Sequence, residues 1–440
     1  MTTNHSNNHS SSPSLKRSIS ETVKKTLDAS AENEIIILLS VFGVDQPGIT
    51  SSITKILSGH QVTILDIGQA VIHDHLNLGM LVKLPVTCDD GHLKEEIEAA
   101  VVDLGNRVKF EVIDHENYDH WVNQQGKPRH IVSLLAREIT AEHIASLTAV
   151  ALTHGLNFDH ITRLSGRIPL DTLSEQNKSS VEFSARGTPA DLSALRAAFM
   201  ELAAKHDIDI AVQEDTIYRR NRRLVCFDMD STLIEAEVID ELAIEAGVGS
   251  QVAEITEAAM AGELDFNQSF AKRMALLEGL DEAVLDKVAQ RLKLTEGAKK
   301  LFKILHHLGY KTAILSGGFD YFGRYLQRRL GVDYVYANQL DIVDGKVTGK
   351  VIGQVVNGER KAELLRILAQ KENISLEQVI AVGDGANDLP MLSVAGLGIA
   401  FRAKPLVKAS AKQSISQLGL DAILYLMGLS DREMATMDRL

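Results

Sequence analysis

Five short, nearly continuous apolar runs occupy residues 224–227, 311–315, 334–336, 379–382 and 397–400, separated by stretches of helical pattern. A strand with one wet face alternates apolar and polar residues, whereas a run lacking that alternation is covered on both faces. Helix-length spacers leave room for the crossover that parallel strands need. This region therefore reads as a doubly wound parallel α/β domain with helices on both sides of one sheet.

The N-terminal half follows another rule. A strand over 35–42 leads through Pro47, placed where a first helical turn tolerates proline, into a helix ending near 57. Strands at about 62–72 and 76–84, a helix near 93–104 and a strand near 108–113 complete a β-α-β-β-α-β unit. Residues 115–128 are polar and aperiodic and read as a linker. The order then recurs, with strands at 131–136, 158–164, 180–185 and 208–212 and helices at 141–154 and 192–205. Two ferredoxin-like α+β domains thus precede the parallel sheet. The predicted organisation is a tail over 1–30, domains over 31–115 and 129–214, and a large domain over 222–430 with a helical insert at about 234–293. The arginines at 219, 220, 222 and 223 are expected to form a solvated joint.

Composition narrows the function classes. The balance of 46 basic and 59 acidic residues gives a net charge of −13, which argues against general nucleic-acid binding. No unbroken apolar run exceeds residues 422–427, against the roughly 20 that a membrane helix requires. Cys88 and Cys226 are too few for a disulfide framework. The Ser/Asn/His-rich first residues lack the apolar segment of a secretory signal and are expected to stay disordered, in a cytoplasmic protein.

Four motifs carry the chemistry. In Phe227-Asp228-Met229-Asp230-Ser231-Thr232, the two acids lie two apart at the carboxyl end of a strand, so they share a face where open α/β sheets bind ligands. Adjacent carboxylates repel unless a cation or a proton intervenes. Gly383-Asp384-Gly385-Ala386-Asn387-Asp388 adds two acids at another strand end, and four converging acids suit a hard cation such as Mg²⁺. Ser316-Gly317-Gly318 offers a hydroxyl and N–H groups to an anion, and Lys361 a point charge for a phosphate. Each also has a plain reading: helix caps, turns and a surface lysine.

Taken in order, Asp-x-Asp, Ser, Lys and Gly-Asp-x-x-x-Asp resemble the four motifs of the haloacid dehalogenase superfamily of phosphatases, over about 224–427. The insert, with Glu237-Val238-Ile239-Asp240-Glu241, then Met260, Phe266 and Arg273, resembles that of phosphoserine phosphatases. The resemblance implies Asp228 as nucleophile and Asp230 as general acid and base. It implies phosphate contacts from Ser316, Gly317, Lys361 and Asn387. Mg²⁺ would be held by Asp228, Asp384 and the backbone carbonyl of Asp230, with Asp388 nearby. Glu237 would take the substrate ammonium and Arg273 its carboxylate, between Met260 and Phe266 as apolar walls.

Gly43-Val44-Asp45-Gln46-Pro47-Gly48 resembles the ligand loop of ACT domains, which implies an amino acid such as L-serine at Gly43, Asp45 and Gly48, and a homodimer. The second unit has Arg137-Glu138-Ile139-Thr140 there, so a purely structural role stands beside ligand binding. The expected activity is Mg²⁺-dependent hydrolysis of phosphoserine to serine and phosphate, the last step of serine biosynthesis. Phosphate transfer to another alcohol, another small phosphomonoester, and an amino-acid sensor with a silent phosphatase domain are the alternatives.

Overall fold

The computed structural model describes residues 34–167, 177–260 and 263–438, leaving out the side chains of Met260 and Asp438. The expected disordered tail lies outside the described residues. The chain divides into two compact units at Gly126/Lys127.

In the first unit, strands β1 (Ile35–Val44), β2 (Thr63–Ile72), β3 (His75–Leu84) and β4 (Arg107–Ile113) form an antiparallel sheet in the order β2-β3-β1-β4. Inward residues Ile37, Leu39 and Val41 alternate along β1. They pack against Ile49, Ile53 and Leu57 on one helix and Leu93, Ile97 and Val101 on another, each set spaced four apart to make one stripe. The expected linker opens instead with a helix, His115–Asn123, whose Asn117 N–H donates to the Asp114 carboxylate at 2.7 Å. This helix buries none of its residues, which is why no apolar period marks it.

The second unit begins with β5 (Arg129–Ala136), β6 (Asn157–Arg163), β7 (Ser179–Arg186) and β8 (Asp209–Glu214), ordered β6-β7-β5-β8. That is the first unit's topology again, and the fold class is the one the sequence predicts.

The large sheet comprises β9 (Leu224–Phe227), β10 (Lys311–Phe319), β11 (Tyr334–Val343), β12 (Lys346–Ile352), β13 (Val379–Gly383), β14 (Leu397–Phe401) and β15 (Gln413–Ile415). Its order is β12-β11-β10-β9-β13-β14-β15. Alternate residues of β9 feed two cores. Val225 and Phe227 face Leu301 and Phe302, while Leu224 and Cys226 face Leu364, Leu365 and Leu368. β10 and β13 flank β9 in parallel, and the register sets Phe227 beside both Ile314 and Val382. Three motif-bearing strands therefore end side by side, where the connections depart in opposite directions. Beyond the five runs, β11 continues into a hairpin with β12 through Asp344-Gly345, both at positive φ.

Helices Val238–Glu245, Gly249–Met260, Phe266–Ala275 and Ala283–Arg291 form a cap inserted after β9. The chain enters and leaves it through a two-stranded neck. Ile234 pairs with Leu294, Glu235 N donates to Lys293 O at 3.0 Å, and Thr295 N donates to Leu233 O at 3.0 Å.

The second ferredoxin-like sheet meets the large sheet edge to edge. Val212 N, on β8, donates to Gln413 Oε1 at 2.9 Å, and Gln413 Nε2 donates back to Val212 O. One buried amide thereby takes the place of a strand partner. The arginine joint is not solvated throughout, a correction to the expectation. Arg219 and Arg222 are only 2% and 5% exposed. Arg219 pairs with Glu182, and Arg222 donates to Glu377 O at 3.1 Å and Gln213 Oε1 at 3.3 Å. Charge on a surface cannot be told from charge in a joint by composition alone, because the partners come from distant segments. Among the described residues, no helix is long and apolar enough to cross a membrane.

Candidate active site

The strand ends bring the four motifs together. Asp228 follows β9, and its N–H donates to Val382 O at 2.8 Å, tying it to the neighbouring β13. Its Oδ1 accepts from Met229 N at 2.7 Å and lies 2.9 Å from Lys361 Nζ. Lys361 sits in the first turn of helix Gly358–Lys371, which Asn357 caps through Arg360 N at 3.0 Å. Far from being a surface lysine, it is fully buried and also reaches Asp388 Oδ1 at 2.7 Å. Asp388, itself fully buried, accepts from Gly385 N at 2.9 Å, which closes the Gly-Asp-x-x-x-Asp turn on itself.

One lysine thus faces two buried acids, and Asp384 makes a third nearby. Oxygen atoms of Asp228, Asp384 and Asp388 lie within 4.8 Å of one another. Burial first, then the charge of Asp388, holds the Asp228 carboxyl well above the usual range, despite Lys361. The same causes push Asp384 up to about 7. Burial works against the Lys361 ammonium, but Asp228 and Asp388 more than offset it and raise its pKa. Negative charge is in excess here, as a divalent cation site requires.

Asp230 points elsewhere. Its Oδ1 accepts from Val238 N at 3.3 Å, at the start of the cap, and a Cβ added at Gly318 would come 2.5 Å from its Oδ2. Burial, then Glu237 and Asp228, raise its carboxyl well above the ordinary range. Ser316 Oγ accepts from Gly318 N at 2.9 Å. The Ser-Gly-Gly segment is not a turn, which was its plain reading. It is the last part of β10, where the register with β11 breaks between Leu315 and Phe319. Asn338 Nδ2 donates to Gly317 O at 2.7 Å and fixes that irregular backbone.

From the cap come Glu237, Phe266 and Arg273. Glu237 accepts from Ser231 Oγ at 2.6 Å, and its carboxyl is raised by the surrounding protein and Asp240. Phe266 leans over the Ser-Gly-Gly end of β10, where a Cβ on Gly317 would lie 3.1 Å from its ring. Arg273 is partly buried, its Nε has no hydrogen-bond partner, and it feels Asp240, Glu237 and Asp230. Asn387 sits in the same turn as Asp388, and its Oδ1 would lie 2.2 Å from a Cβ on Gly385. The side chain of Met260 lies outside the described residues.

Two further residues join the site without having been singled out. Thr232 Oγ1 donates to Asp384 Oδ1 at 3.1 Å, and Ser231, at φ 54, turns its hydroxyl to Glu237. Their adjacency to Asp230 was the available signal. In the first unit, Gly43 and Gly48 flank the loop before helix Ile49–Gly59, and Asp45 N donates to Asp74 O at 2.7 Å. Asn106 Oδ1 is buried without a partner beside Gly43, where a Cβ would come within 1.9 Å of it. An asparagine in a loop gives no sequence signal of that kind.

Residues 222–396 match the model of haloacid dehalogenase-like hydrolases, and residues 35–111 and 128–213 match two ACT-domain models. The chain is 39% identical over 406 residues to a Mycobacterium tuberculosis protein named phosphoserine phosphatase SerB2, covering 92% of this chain and 96% of that one. It is 40% identical over 415 residues to a Streptomyces coelicolor phosphoserine phosphatase, covering 94% and 97%. The crystal structure of a probable phosphoserine phosphatase from Vibrio cholerae, unliganded, is similar at TM-score 0.54 and 33% identity, covering 70% of this chain and 89% of that one.

Proposed function

This chain belongs to the haloacid dehalogenase-like hydrolases and is a phosphatase, and on that footing we propose that it hydrolyses O-phospho-L-serine to L-serine and phosphate. The observation that carries the reading is one buried lysine between two buried acids, beside a third Asp and under a cap that presents a carboxylate and a guanidinium. The relatives named phosphoserine phosphatase support the same substrate.

In this mechanism an Asp228 oxygen attacks phosphorus while the bond to the serine oxygen breaks, leaving an aspartyl-phosphate. Asp230 gives its proton to the departing serine oxygen. A water then attacks phosphorus, Asp230 takes up the water's proton, and the aspartyl bond breaks to release phosphate. Lys361, the Ser316 hydroxyl, the Gly317 N–H and Asn387 hold the phosphate oxygens, since phosphoryl transfer depends chiefly on positioning and charge. The donor set of Asp228, Asp384 and the Asp230 carbonyl, with Asp388 close by, fits Mg²⁺: all-oxygen, crowded and negatively charged. When bound, the cation supplies charge neutralisation that lets a carboxylate approach a phosphate dianion. Glu237 takes the ammonium of the substrate, Arg273 its carboxylate, and Phe266 and Met260 exclude water.

The reading extends to biology. Serine release would be the last step of serine biosynthesis, in the cytoplasm. Paired ACT domains would make a homodimer, and serine would bind the first ACT domain at Gly43, Asp45 and Gly48. Unpartnered Asn106 Oδ1 is a ready acceptor for an ammonium there. The test is phosphate release from L- and D-phosphoserine, phosphothreonine, a sugar phosphate and a nucleotide, with Mg²⁺ or with excess chelator, and with or without serine. Metal-dependent preference for L-phosphoserine is expected. Preference for another ester would discard the substrate argument, and silence on every ester would discard the mechanism.

A further inference from the structure

The second ACT-like domain uses its ligand loop in another way. Between β5 and helix Ala141–Thr153 stands Arg137-Glu138-Ile139-Thr140, in the place of the first domain's glycine-bearing turn. Thr140 caps that helix. Arg137 leaves its own domain: its two terminal nitrogens donate to the two oxygens of Glu296, at 3.0 and 2.8 Å. Such a fork fixes direction as well as distance.

Glu296 is the residue after Thr295, the last rung of the cap neck. Its carboxylate also accepts from Arg402 at 2.9 Å, and its carbonyl from Leu420 N at 2.8 Å. A second cation of the same domain, Lys178, reaches both oxygens of the buried Asp421 at 2.5 and 2.7 Å. Asp421 in turn packs against Gly297, where a Cβ would lie 2.2 Å from its Oδ1. Two cations of one domain therefore grip both sides of the segment by which the cap returns to the sheet.

We propose that Arg137 is a positioning residue for the cap: through Glu296 it holds the neck at the setting that keeps Glu237, Phe266 and Arg273 over the carboxylates of the sheet. Hinges of this kind lie far from the chemistry yet govern how a lid closes. The inference rests on the phosphatase reading, with the ammonium and carboxylate contacts carried by the cap and the phosphate contacts carried by the sheet. Loosening the neck would weaken the first set and spare the second.

The test compares wild type, Arg137→Met and Arg137→Lys in full-length protein, on phosphoserine and on phenyl phosphate, which lacks both amino-acid groups. Arg137→Met should raise KM for phosphoserine about tenfold, the share of one charge-assisted bond. Its kcat/KM for phenyl phosphate should stay within about twofold. Arg137→Lys, which keeps the charge but loses the fork, should fall between. Equal losses on both esters, or none on either, would overturn the proposal, because a merely weakened fold lowers the active fraction for every substrate alike. Amide exchange supplies an arm independent of activity: peptides spanning 233–237 and 292–297 should exchange faster in Arg137→Met, and unchanged exchange would refute the grip. If Arg137→Met does not fold, Arg137→Lys decides by the same two readouts. If the wild type itself ignores phosphoserine, the function reading falls while the exchange arm still judges the neck.

Discussion

Replacing Lys361 by methionine removes one positive charge from a place where water cannot supply another. The lysine is fully buried, with carboxylate oxygens at 2.9 and 2.7 Å. Deleting one member of a buried charge cluster costs about 3–5 kcal/mol, because the remaining charges stay buried without compensation. The loss has a ceiling, since a stranded carboxylate can take up a proton instead, at about 1.4 kcal/mol for each pH unit above its ordinary pKa near 3.9. That ceiling is about 6 kcal/mol at pH 8 and about 2 kcal/mol at pH 5.5. The sign follows from the direction of the shift. A carboxyl whose folded pKa is raised destabilises the fold from its ordinary pKa upward, in full above the raised value, and the penalty disappears as pH falls to the ordinary pKa. The variant should therefore melt about 6–20 °C below wild type at pH 8, using roughly 2–4 °C per kcal/mol for a domain of this size. At pH 5.5 the gap should shrink by about a third or more. Differential scanning calorimetry in chelator at both pH values measures it. A deficit below about 1 kcal/mol at pH 8, or one of equal size at both pH values, would refute the claim that this lysine compensates buried charge.

The other substitutions separate chemistry from binding. Asp228→Asn should abolish phosphate release while leaving the circular-dichroism melt within a few degrees of wild type, and substantial turnover would remove Asp228 from the nucleophile's role. Arg273→Ala should raise KM for phosphoserine by about 10²-fold, the worth of a buried charge-assisted contact, and that for phenyl phosphate little. Equal increases would disconnect Arg273 from the substrate carboxylate. Gly318→Ala forces a methyl to within 2.5 Å of Asp230 Oδ2, so the acid must move. Its kcat should fall about 10²-fold with KM nearly constant, as misplacing a catalytic group by an ångström does. A normal kcat would show that the acid tolerates displacement.

How much of this was legible depended on whether the deciding contacts were local. Asp228 and Asp230 share a strand end with the apolar run that precedes them, so their placement could be read from neighbours in sequence. The order of the four motifs did the rest. Lys361 was read weakly, because its burial is set by Asp228 and Asp388, which arrive from distant segments. Arg219 and Arg222 misled for the same reason. The helix His115–Asn123 buries no side chain, so its only mark was the capping Asp114. The β11–β12 hairpin did carry a legible sign, Asp344-Gly345, the kind of pair that turns two strands back on each other. Ser316-Gly317-Gly318 read as a turn because glycines punctuate turns as readily as they permit a break in strand register.

The amide of Gln413, bonded to both backbone groups of Val212, has a consequence for how the protein can be taken apart. β8 and β15 are the outermost strands of two different sheets, and each would otherwise present unpaired N–H and C=O groups along its length. Outermost strands left bare are templates on which other chains can add. A fragment beginning at Leu224 would hold all four motifs and every carboxylate of the site, yet it would carry an open margin at β15. Such a fragment should self-associate where the chain from Lys127 onward stays dispersed. The second ACT-like domain thus acts as a hem for the catalytic sheet.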